Sequence, residues 1–453
     1  MNPYDDLKKR FGELQEENLK LKEENAYLKF ELKELKDRVY GRRRRKDPPS
    51  ESPKEPPKKR GALFGHLGWF RKKPGTVDKI VEVRLDQCPV CGGKDLKECG
   101  GVKDHLQEDI VLVAPKVTLY QKHRYYCRTC SKIVIGHGEN EQARSRIGPQ
   151  AKTLAAYLKY HVKVSDRDIQ KIFSQLFGLK FTVGAVLGFR NQIRKRLEPV
   201  YENLVRKIRR SRYVHCDETG WKIDGKSGWL WSFSNKRTAV CHIDKSRGSK
   251  IPQTVLGKTF KGILIADFYS AYNKIAARAK QRCLVHLLRD IKRIEESLVE
   301  DPPTQNFCAR LKTLVFEAVE LSKERKDLKR TDYKRKQKSI LESFEDLQLT
   351  DPGNKIIQRF VKRLDRHRHE YLTFLDHPEV SWNNNHAERM VRPNVLLRKI
   401  TFGNRSAEGI FNHNVLMSVI QSAKLKGLDP LKNLRDLFQN FGHPRTLAAL
   451  SPP

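Results

Sequence analysis

The sequence lacks the features that would place a protein in a membrane or outside the cell. None of its 453 residues belongs to an apolar run long enough to span a bilayer. The N-terminus also lacks the basic, apolar and small-residue order of a secretory signal peptide. Nine cysteines are an odd number, and they do not suggest a disulfide framework. These absences predict a cytoplasmic protein that does not bind membranes.

Acidic residues are scarce relative to basic ones. The chain has 91 Lys and Arg residues against 54 Asp and Glu residues, so its formal net charge is +37. A charge of this size favours a polyanionic partner, and nucleic acid is the commonest one. Binding to such a partner should weaken steeply with salt.

The N-terminal segment has a heptad pattern. Leucines recur every seven residues and define position d: Leu7, Leu14, Leu21, Leu28 and Leu35. Two of the a positions are asparagines, and Glu residues at g positions can pair with Lys residues at e positions of a partner helix. Both features are typical of a parallel two-stranded coiled coil. We therefore expect residues 1–41 to join two copies of the chain, although an amphipathic helix packed on its own protein has a similar pattern. The basic, Pro-rich residues 42–80 predict a linker.

Two Cys-x-x-Cys pairs follow the linker, Cys88 with Cys91 and Cys127 with Cys130. Strand-like sequence separates them, and tetrahedral zinc needs four soft ligands brought together by two tight turns. Residues 81–140 are therefore predicted to form a structural zinc ribbon, with Cys99 a poorer ligand. The ribbon either docks DNA or stabilises a small domain.

Residues 141–210 have the pattern of two helices joined by a turn. Ser165 is a possible cap of a helix through Leu176, a turn lies near Gly178, and a second helix starts at about Thr182. This outline is compatible with helix-turn-helix DNA binding, but any helical hairpin shares it. The second helix carries three candidate DNA contacts: Arg190, Arg194 and Lys195.

Strand-like sequence begins near residue 211. Three short runs rich in Val, Ile, Thr, Trp and Phe predict a three-stranded meander, and "GILIADFYSAY" predicts a fourth strand. Asp217 lies inside the first strand and Asp267 ends the fourth. If these strands are neighbours, the two carboxylates can face each other. Glu218 follows Asp217 directly and should point to the opposite face of the sheet.

A third carboxylate, Glu388, lies in "NNNHAERMVR" on a predicted late helix. Together with the two strand-borne acids it would hold two Mg²⁺ ions that stabilise both oxygens of a phosphodiester displacement. The alternative is an ion pair with Arg389 or Arg392. Pro393 predicts that the helix kinks or stops nearby.

Four segments together resemble the insertion sequence sixty-six family of DDE transposases: "HCDETGWKIDGKSGWLWSF", "ADFYSAYNK", "QRCLVHLLRDIK" and "NNNHAERMVRPNVLLRKITFGNRSAEG". The resemblance implies a ribonuclease-H-like fold, Mg²⁺-dependent DNA strand transfer, and Asp217, Asp267 and Glu388 as the acidic triad. It also includes Cys283 and His286, which match a Cys-x-x-His pair of several transposase groups. We expect this pair to support the site structurally.

The predicted architecture is a multidomain α/β chain. Its parts are a parallel coiled coil (1–41), a linker (42–80), a zinc ribbon (81–140), a helical DNA-binding region (141–210), a catalytic domain (211–297 and 381–425), a helical insertion (298–380) and a C-terminal tail (426–453). Further candidate DNA contacts are Arg389, Arg392, Arg398 and Lys399.

The expected activity is cleavage of double-stranded DNA at the ends of a mobile element and strand transfer into target DNA, with structural zinc and two Mg²⁺ as cofactors. Two alternatives remain open from the residues. One is a dimeric zinc-containing DNA-binding regulator without catalysis. The other is a ribonuclease-H-like nuclease that cuts without joining.

Overall fold

The computed structural model describes residues 145–349 and 353–439 without a break. Earlier in the chain it describes residues 76–87, 89–94, 105–108, 114–135, residue 141 and scattered positions between 10 and 32. The chain divides into two compact units, Met1–Val111 and Leu112–Pro453. Most of the predicted linker and the last fourteen residues of the predicted tail, 440–453, lie outside the described residues.

In the first unit, the described positions between 10 and 32 are helical, as the heptads predict. The d-position leucines are exposed on this helix: Leu14 by 60%, Leu21 by 51% and Leu28 by 56%. Leu7 and Leu35 lie outside the described residues, and so does Cys88.

The second unit begins with a small antiparallel hairpin of β1 (Arg124–Cys127) and β2 (Lys132–Ile135). Cys127 ends the first strand, and Cys130 lies in the connecting turn. A Cys-x-x-Cys pair therefore lies at the start of this turn and within it, as the zinc-ribbon pattern predicts.

Three helices follow: α1 (Pro149–Tyr157), which continues into a π-helical turn over Leu158–Val162, α2 (Asp166–Leu176) and α3 (Val183–Arg209). The Ser165 side chain caps α2 by accepting from the Asp168 amide, and the Thr182 side chain caps α3. Gly178 has φ of +65°, which glycine adopts without steric cost. The predicted caps and turn are confirmed.

The long helix α3 belongs to two cores. Val186 and Phe189 in its first half pack with α1 and α2. Its second half, from Ile193 to Ile208, packs into the core under the sheet. The predicted helical region is therefore joined to the sheet through α3, and its division from the catalytic domain stays a prediction.

A five-stranded sheet follows. Its strands are β3 (Tyr213–Ile223), β4 (Lys226–Ser234), β5 (Ala239–Asp244), β6 (Thr259–Ala266) and β7 (Ala276–Arg282). They lie in the order β5-β4-β3-β6-β7. The first three form the predicted antiparallel meander. Strand β6 is a parallel neighbour of β3, which is the arrangement that would let Asp217 and Asp267 face each other. Strand β7 is a parallel edge strand that the sequence analysis missed.

One face of the sheet is covered by α3 together with α4 (Lys250–Leu256), α10 (Ala407–Leu425) and α11 (Pro430–Gln439). The predicted C-terminal tail contains α11. Its Leu434, Leu437 and Phe438 are buried in this core, so hydrophobic burial makes the segment part of the fold.

The other face is covered by the predicted helical insertion and the helix before it. These helices are α5 (Leu284–Ser297), α6 (Pro302–Glu324), α7 (Arg330–Leu349) and α8 (Gln358–Arg366). They enclose a second core that includes Ile263 and Ile265 of β6. The insertion therefore shares a hydrophobic core with the strand that leads to Asp267.

The chain returns to the sheet through α9 (Asn385–Thr401). This helix does not stop at Pro393, although proline removes one helical hydrogen bond. Its Val391 and Leu397 are buried, and this packing holds the helix beyond the proline. Within the described part of the chain, no helix combines the length and apolarity needed to cross a membrane.

Candidate active site

Asp217 belongs to β3, and Asp267 directly follows its parallel neighbour β6. Tyr213 pairs with Ile263 and His215 pairs with Ile265. Extending this register by two residues sets Asp217 on β3 beside Asp267, which directly follows β6. Because side chains alternate along a strand, both carboxylates lie on the face covered by the α5–α8 core.

Glu388 reaches this edge of the sheet from the first turn of α9. The backbone amide of Glu388 donates to the carbonyl of Asn384, the residue before the helix, at 3.2 Å. The position of Glu388 therefore depends on how Asn384 is held.

Asn384 is 2% exposed and connects three parts of the chain. Its side-chain Nδ2 donates to the Cys216 carbonyl at 2.7 Å, and its Oδ1 lies 3.0 Å from His215 Nδ1. Its backbone amide donates to the Cys283 sulfur at 3.2 Å. Asn384 thus attaches the start of α9 to β3 beside Asp217. The sequence analysis did not assign a role to it, and three consecutive asparagines were the only signal.

Negative charge is crowded at this edge. Burial, followed by the negative charges of Glu218, Asp267 and Glu388, raises the pKa of Asp217 to about 8, although one backbone hydrogen bond lowers it. Burial and Asp267 also raise the pKa of Glu218. Three candidate acids from distant parts of the sequence therefore interact electrostatically in the folded chain.

Glu218 lies on the opposite face from Asp217, as strand alternation predicts. Its carboxylate accepts from the Tyr272 hydroxyl at 2.6 Å and from Arg247 at 2.8 Å. Tyr272 belongs to the core on the far side of the sheet. Glu218 therefore has partners other than the candidate catalytic acids.

Glu388 has a basic side chain nearby, as the ion-pair alternative requires, but this side chain is Arg289. Its carboxylate is 42% exposed and lies 4.0 Å from Arg289 Nη2 of α5. This pair is long and open to solvent, so it contributes little energy. Arg389 and Arg392 are exposed on the outer side of the same helix.

The three candidate acids have the donor chemistry of a magnesium site, but they are not close enough together to form one. Carboxylate oxygens are the ligands that Mg²⁺ prefers, and a bound cation would relieve the repulsion that raises the pKa of Asp217. Nevertheless, among the residues that the structure describes, no three His, Cys, Asp or Glu side chains are grouped closely enough to hold a metal ion. The donor types fit Mg²⁺, and their present spacing is wider than that of a formed site.

Cys283 and His286 lie between the two strands and α9. Cys283 follows β7, is fully buried, and its amide donates to the Ala266 carbonyl at 2.9 Å. His286 lies in the first turn of α5, where burial lowers its pKa and the Asp267 carboxylate opposes this effect. Cys283 thus contacts Asn384 directly, and His286 is close enough to Asp267 to respond to its charge.

The zinc-ribbon cysteines are only partly described. Cys91 and Cys130 are exposed and Cys127 is partly exposed. Hydrogen bonds from Cys130 and Thr129 lower the pKa of the Cys127 thiol. A lowered pKa favours the thiolate that binds zinc.

The predicted DNA contacts fall into two groups. Arg190 is 7% exposed and bound to Asp166, Arg194 pairs with Glu198 at 3.2 Å, and Arg398 donates to the Gly220 carbonyl. These three guanidinium groups hold helices in place. The remaining four are exposed: Lys195, Arg389, Arg392 and Lys399.

Comparison with known proteins shows which sequences this chain resembles. The chain is 24% identical over 421 residues to the uncharacterised protein y4jD of Sinorhizobium fredii (strain NBRC 101917 / NGR234). The alignment covers 83% of this chain and 78% of y4jD. It is 22% identical over 415 residues to the uncharacterised protein y4qI of the same strain, and this alignment covers 84% of this chain and 74% of y4qI. Residues 86–131 match the zinc-finger binding domain of transposase IS66. Residues 144–411, more than half of the chain, match the sequence model described as Transposase IS66 family, and the chain therefore belongs to the IS66 family of transposases.

Proposed function

We propose that this transposase cleaves DNA at the ends of a mobile element and joins the freed 3′-hydroxyl to target DNA, with Asp217, Asp267 and Glu388 as its catalytic acids. The observation that carries this proposal is the position of Asp217 beside Asp267, which follows from the β3–β6 register. The attachment of the Glu388 helix to the same strand through Asn384 supports it. The proposed ribonuclease-H-like fold is supported by three antiparallel strands followed by two parallel ones.

The three acids would hold two Mg²⁺ ions. When bound, these ions would activate the attacking water or 3′-hydroxyl and stabilise the leaving oxygen. Before binding, the raised pKa of Asp217 keeps its carboxyl protonated at neutral pH, which reduces the repulsion among the acids. The contacts of Asn384 with Cys216 and Cys283 hold the start of α9 and would direct Glu388 towards the two aspartates.

The remaining parts of the chain would bring the DNA to these acids. Four exposed cations are proposed phosphate contacts: Lys195, Arg389, Arg392 and Lys399. Cys88, Cys91, Cys127 and Cys130 are the proposed zinc ligands. The exposed d-position leucines of the N-terminal helix support a parallel coiled coil between two copies, which would place two active sites on two element ends. We expect this reaction to take place on DNA in the cytoplasm.

A strand-transfer assay tests the proposal. Purified protein is incubated with Mg²⁺, target plasmid and duplexes that carry the element's ends. Glu388→Gln should bind these ends like the wild type but neither cut nor join them. Glu320→Gln is the matched control, because Glu320 is an exposed residue of α6 that pairs with nearby Lys323.

The other outcomes identify the alternatives. Cleavage without joining by the wild type would favour the nuclease. Binding without cleavage by both proteins would favour a DNA-binding regulator. Equal joining by the wild type and Glu388→Gln would mean that Glu388 is not a catalytic acid.

A further inference from the structure

An arginine near the candidate active site contacts two aromatic rings. Arg247 lies in the loop between β5 and α4, with its guanidinium carbon 4.2 Å from the Trp229 ring centroid and 3.9 Å from that of Tyr269. The Tyr269 hydroxyl also donates to the Arg247 backbone carbonyl at 2.8 Å. Two cation–π contacts restrict the motion of the guanidinium.

The same arginine is bound by a buried carboxylate. Glu218 Oε1 accepts from Arg247 Nη2 at 2.8 Å and from Nε at 3.3 Å. The Glu218 side chain is only 2% exposed, and its other oxygen accepts from the fully buried Tyr272 hydroxyl at 2.6 Å. Tyr272, Glu218 and Arg247 therefore form a chain of contacts from the core to the surface.

The outer end of this chain is accessible. The Arg247 side chain is 42% exposed, and its two bonds to Glu218 use Nε and Nη2, so Nη1 takes part in neither. A typical exposed arginine loses rotamer freedom when it binds an anion, whereas this one is already ordered. The Tyr269 backbone amide donates to Asp267 Oδ1 at 2.9 Å, and the Tyr269 ring contacts the Arg247 guanidinium, so the ordered guanidinium lies near one of the candidate acids.

A purely structural role explains this arrangement poorly. Burying a carboxylate has a high desolvation cost, and Glu218 also adds repulsion to Asp217. An apolar residue in its place would avoid both costs. The feature that Glu218 adds is a cation held at a defined place beside the catalytic acids.

We propose that Arg247 binds a backbone phosphate of the DNA strand next to the bond that is cut, and that Glu218, Tyr269 and Trp229 hold it in position. This inference rests on the proposed function, since it assumes that DNA enters the site formed by Asp217, Asp267 and Glu388. The planar guanidinium matches the geometry of a phosphate, and its exposed edge can donate to a nonbridging oxygen.

Replacement of single phosphates tests the contact. A set of element-end duplexes is prepared in which each phosphate around the cleavage point is replaced in turn by an uncharged methylphosphonate. Binding is measured by fluorescence anisotropy without divalent metal for the wild type, Arg247→Gln and Arg335→Gln. Arg335 is the matched control, because its side chain is 79% exposed on α7 and pairs with nearby Asp332.

We expect the wild type and Arg335→Gln to lose about tenfold in affinity at one or two adjacent methylphosphonates near the cleavage point. Arg247→Gln should bind unmodified DNA about tenfold more weakly than the wild type and should not respond to those replacements. Its plot of log affinity against log salt should be less steep by about one unit.

The same loss for Arg247→Gln and the wild type at every replaced phosphate would overturn the proposal. So would a profile for the wild type that is flat around the cleavage point. Because this measurement reads binding, it remains separate from the proposed function. A wild type that binds the ends with the expected phosphate profile but never cuts them would refute the catalysis and leave the Arg247 contact supported.

Discussion

The most informative perturbation is Asp217→Asn, because it removes the most strongly perturbed carboxyl of the site and keeps the shape of the side chain. In the folded chain the pKa of Asp217 is raised from 3.8 to about 8. Burial is the largest cause, followed by the carboxylates of Glu218 and Asp267. The asparagine variant has no proton to gain or lose at this position.

The sign and size of the effect follow from proton linkage. Below pH 3.8 the carboxyl is protonated in both the folded and the unfolded chain and does not affect stability. Between pH 3.8 and about 8 the unfolded chain is ionised but the folded chain keeps its proton, so the free energy of unfolding falls by about 1.4 kcal/mol per pH unit. At pH 7 the wild type should therefore be less stable than Asp217→Asn by no more than about 4 kcal/mol.

Urea denaturation of the metal-free wild type and variant between pH 5 and 9 measures this difference. The gap between their midpoints should widen up to about pH 8 and then stay constant. Asp332→Asn is the control, because Asp332 is an exposed surface residue paired with Arg335. Parallel curves for the wild type and Asp217→Asn across the whole range would refute the reasoning from crowded, buried charge.

The same proton should appear in metal binding. A cation binds the ionised carboxylate, so Mg²⁺ should release close to one proton per site from the wild type at pH 7. Asp217→Asn should release none. Calorimetry in two buffers with different ionisation enthalpies measures the number released.

Three further changes test the scaffold around the site. Asn384→Ala should slow strand transfer about a hundredfold, because α9 loses its side-chain bonds to β3, and single-turnover assays measure this. Asp166→Ala should lower the free energy of unfolding by about 3–5 kcal/mol in urea titrations, because Arg190 is left buried without its carboxylate. Gly403→Ala should lower it by about 1–3 kcal/mol, because Gly403 has φ of +112° and an added methyl group would meet the Lys222 carbonyl. Wild-type behaviour of any variant would contradict the contact named for it.

Much of the fold followed from local sequence patterns. Ser165, Gly178 and Thr182 mark helix ends through contacts within a few residues, so they were recognisable without the fold. The same holds for the meander and for the apolar strand that ends in Asp267. By contrast, β7 has the polar sequence "AARAKQR", and its strand structure comes from pairing with β6.

The roles of single polar residues were less predictable. Arg190 had the appearance of a DNA contact, but Asp166 and Lys159 form a buried charge cluster with it. Arg247 had no local signal at all. A side chain's partner determines its role, and these partners are far away in the sequence.

The sequence by itself determined the identities of the candidate acids, the order of the elements that carry them and the family to which the chain belongs. These depend on residue types and on spacings within single elements. Only the tertiary structure decided which contacts hold the acids together. Asn384 forms a hydrogen bond with Cys216, which is 168 positions away in the sequence. Glu218 accepts hydrogen bonds from Arg247 and Tyr272, which lie in two different connecting segments. Such pairs form because packing α9 and the loops against the sheet buries polar groups that must then find partners, and no local pattern specifies which partners those are.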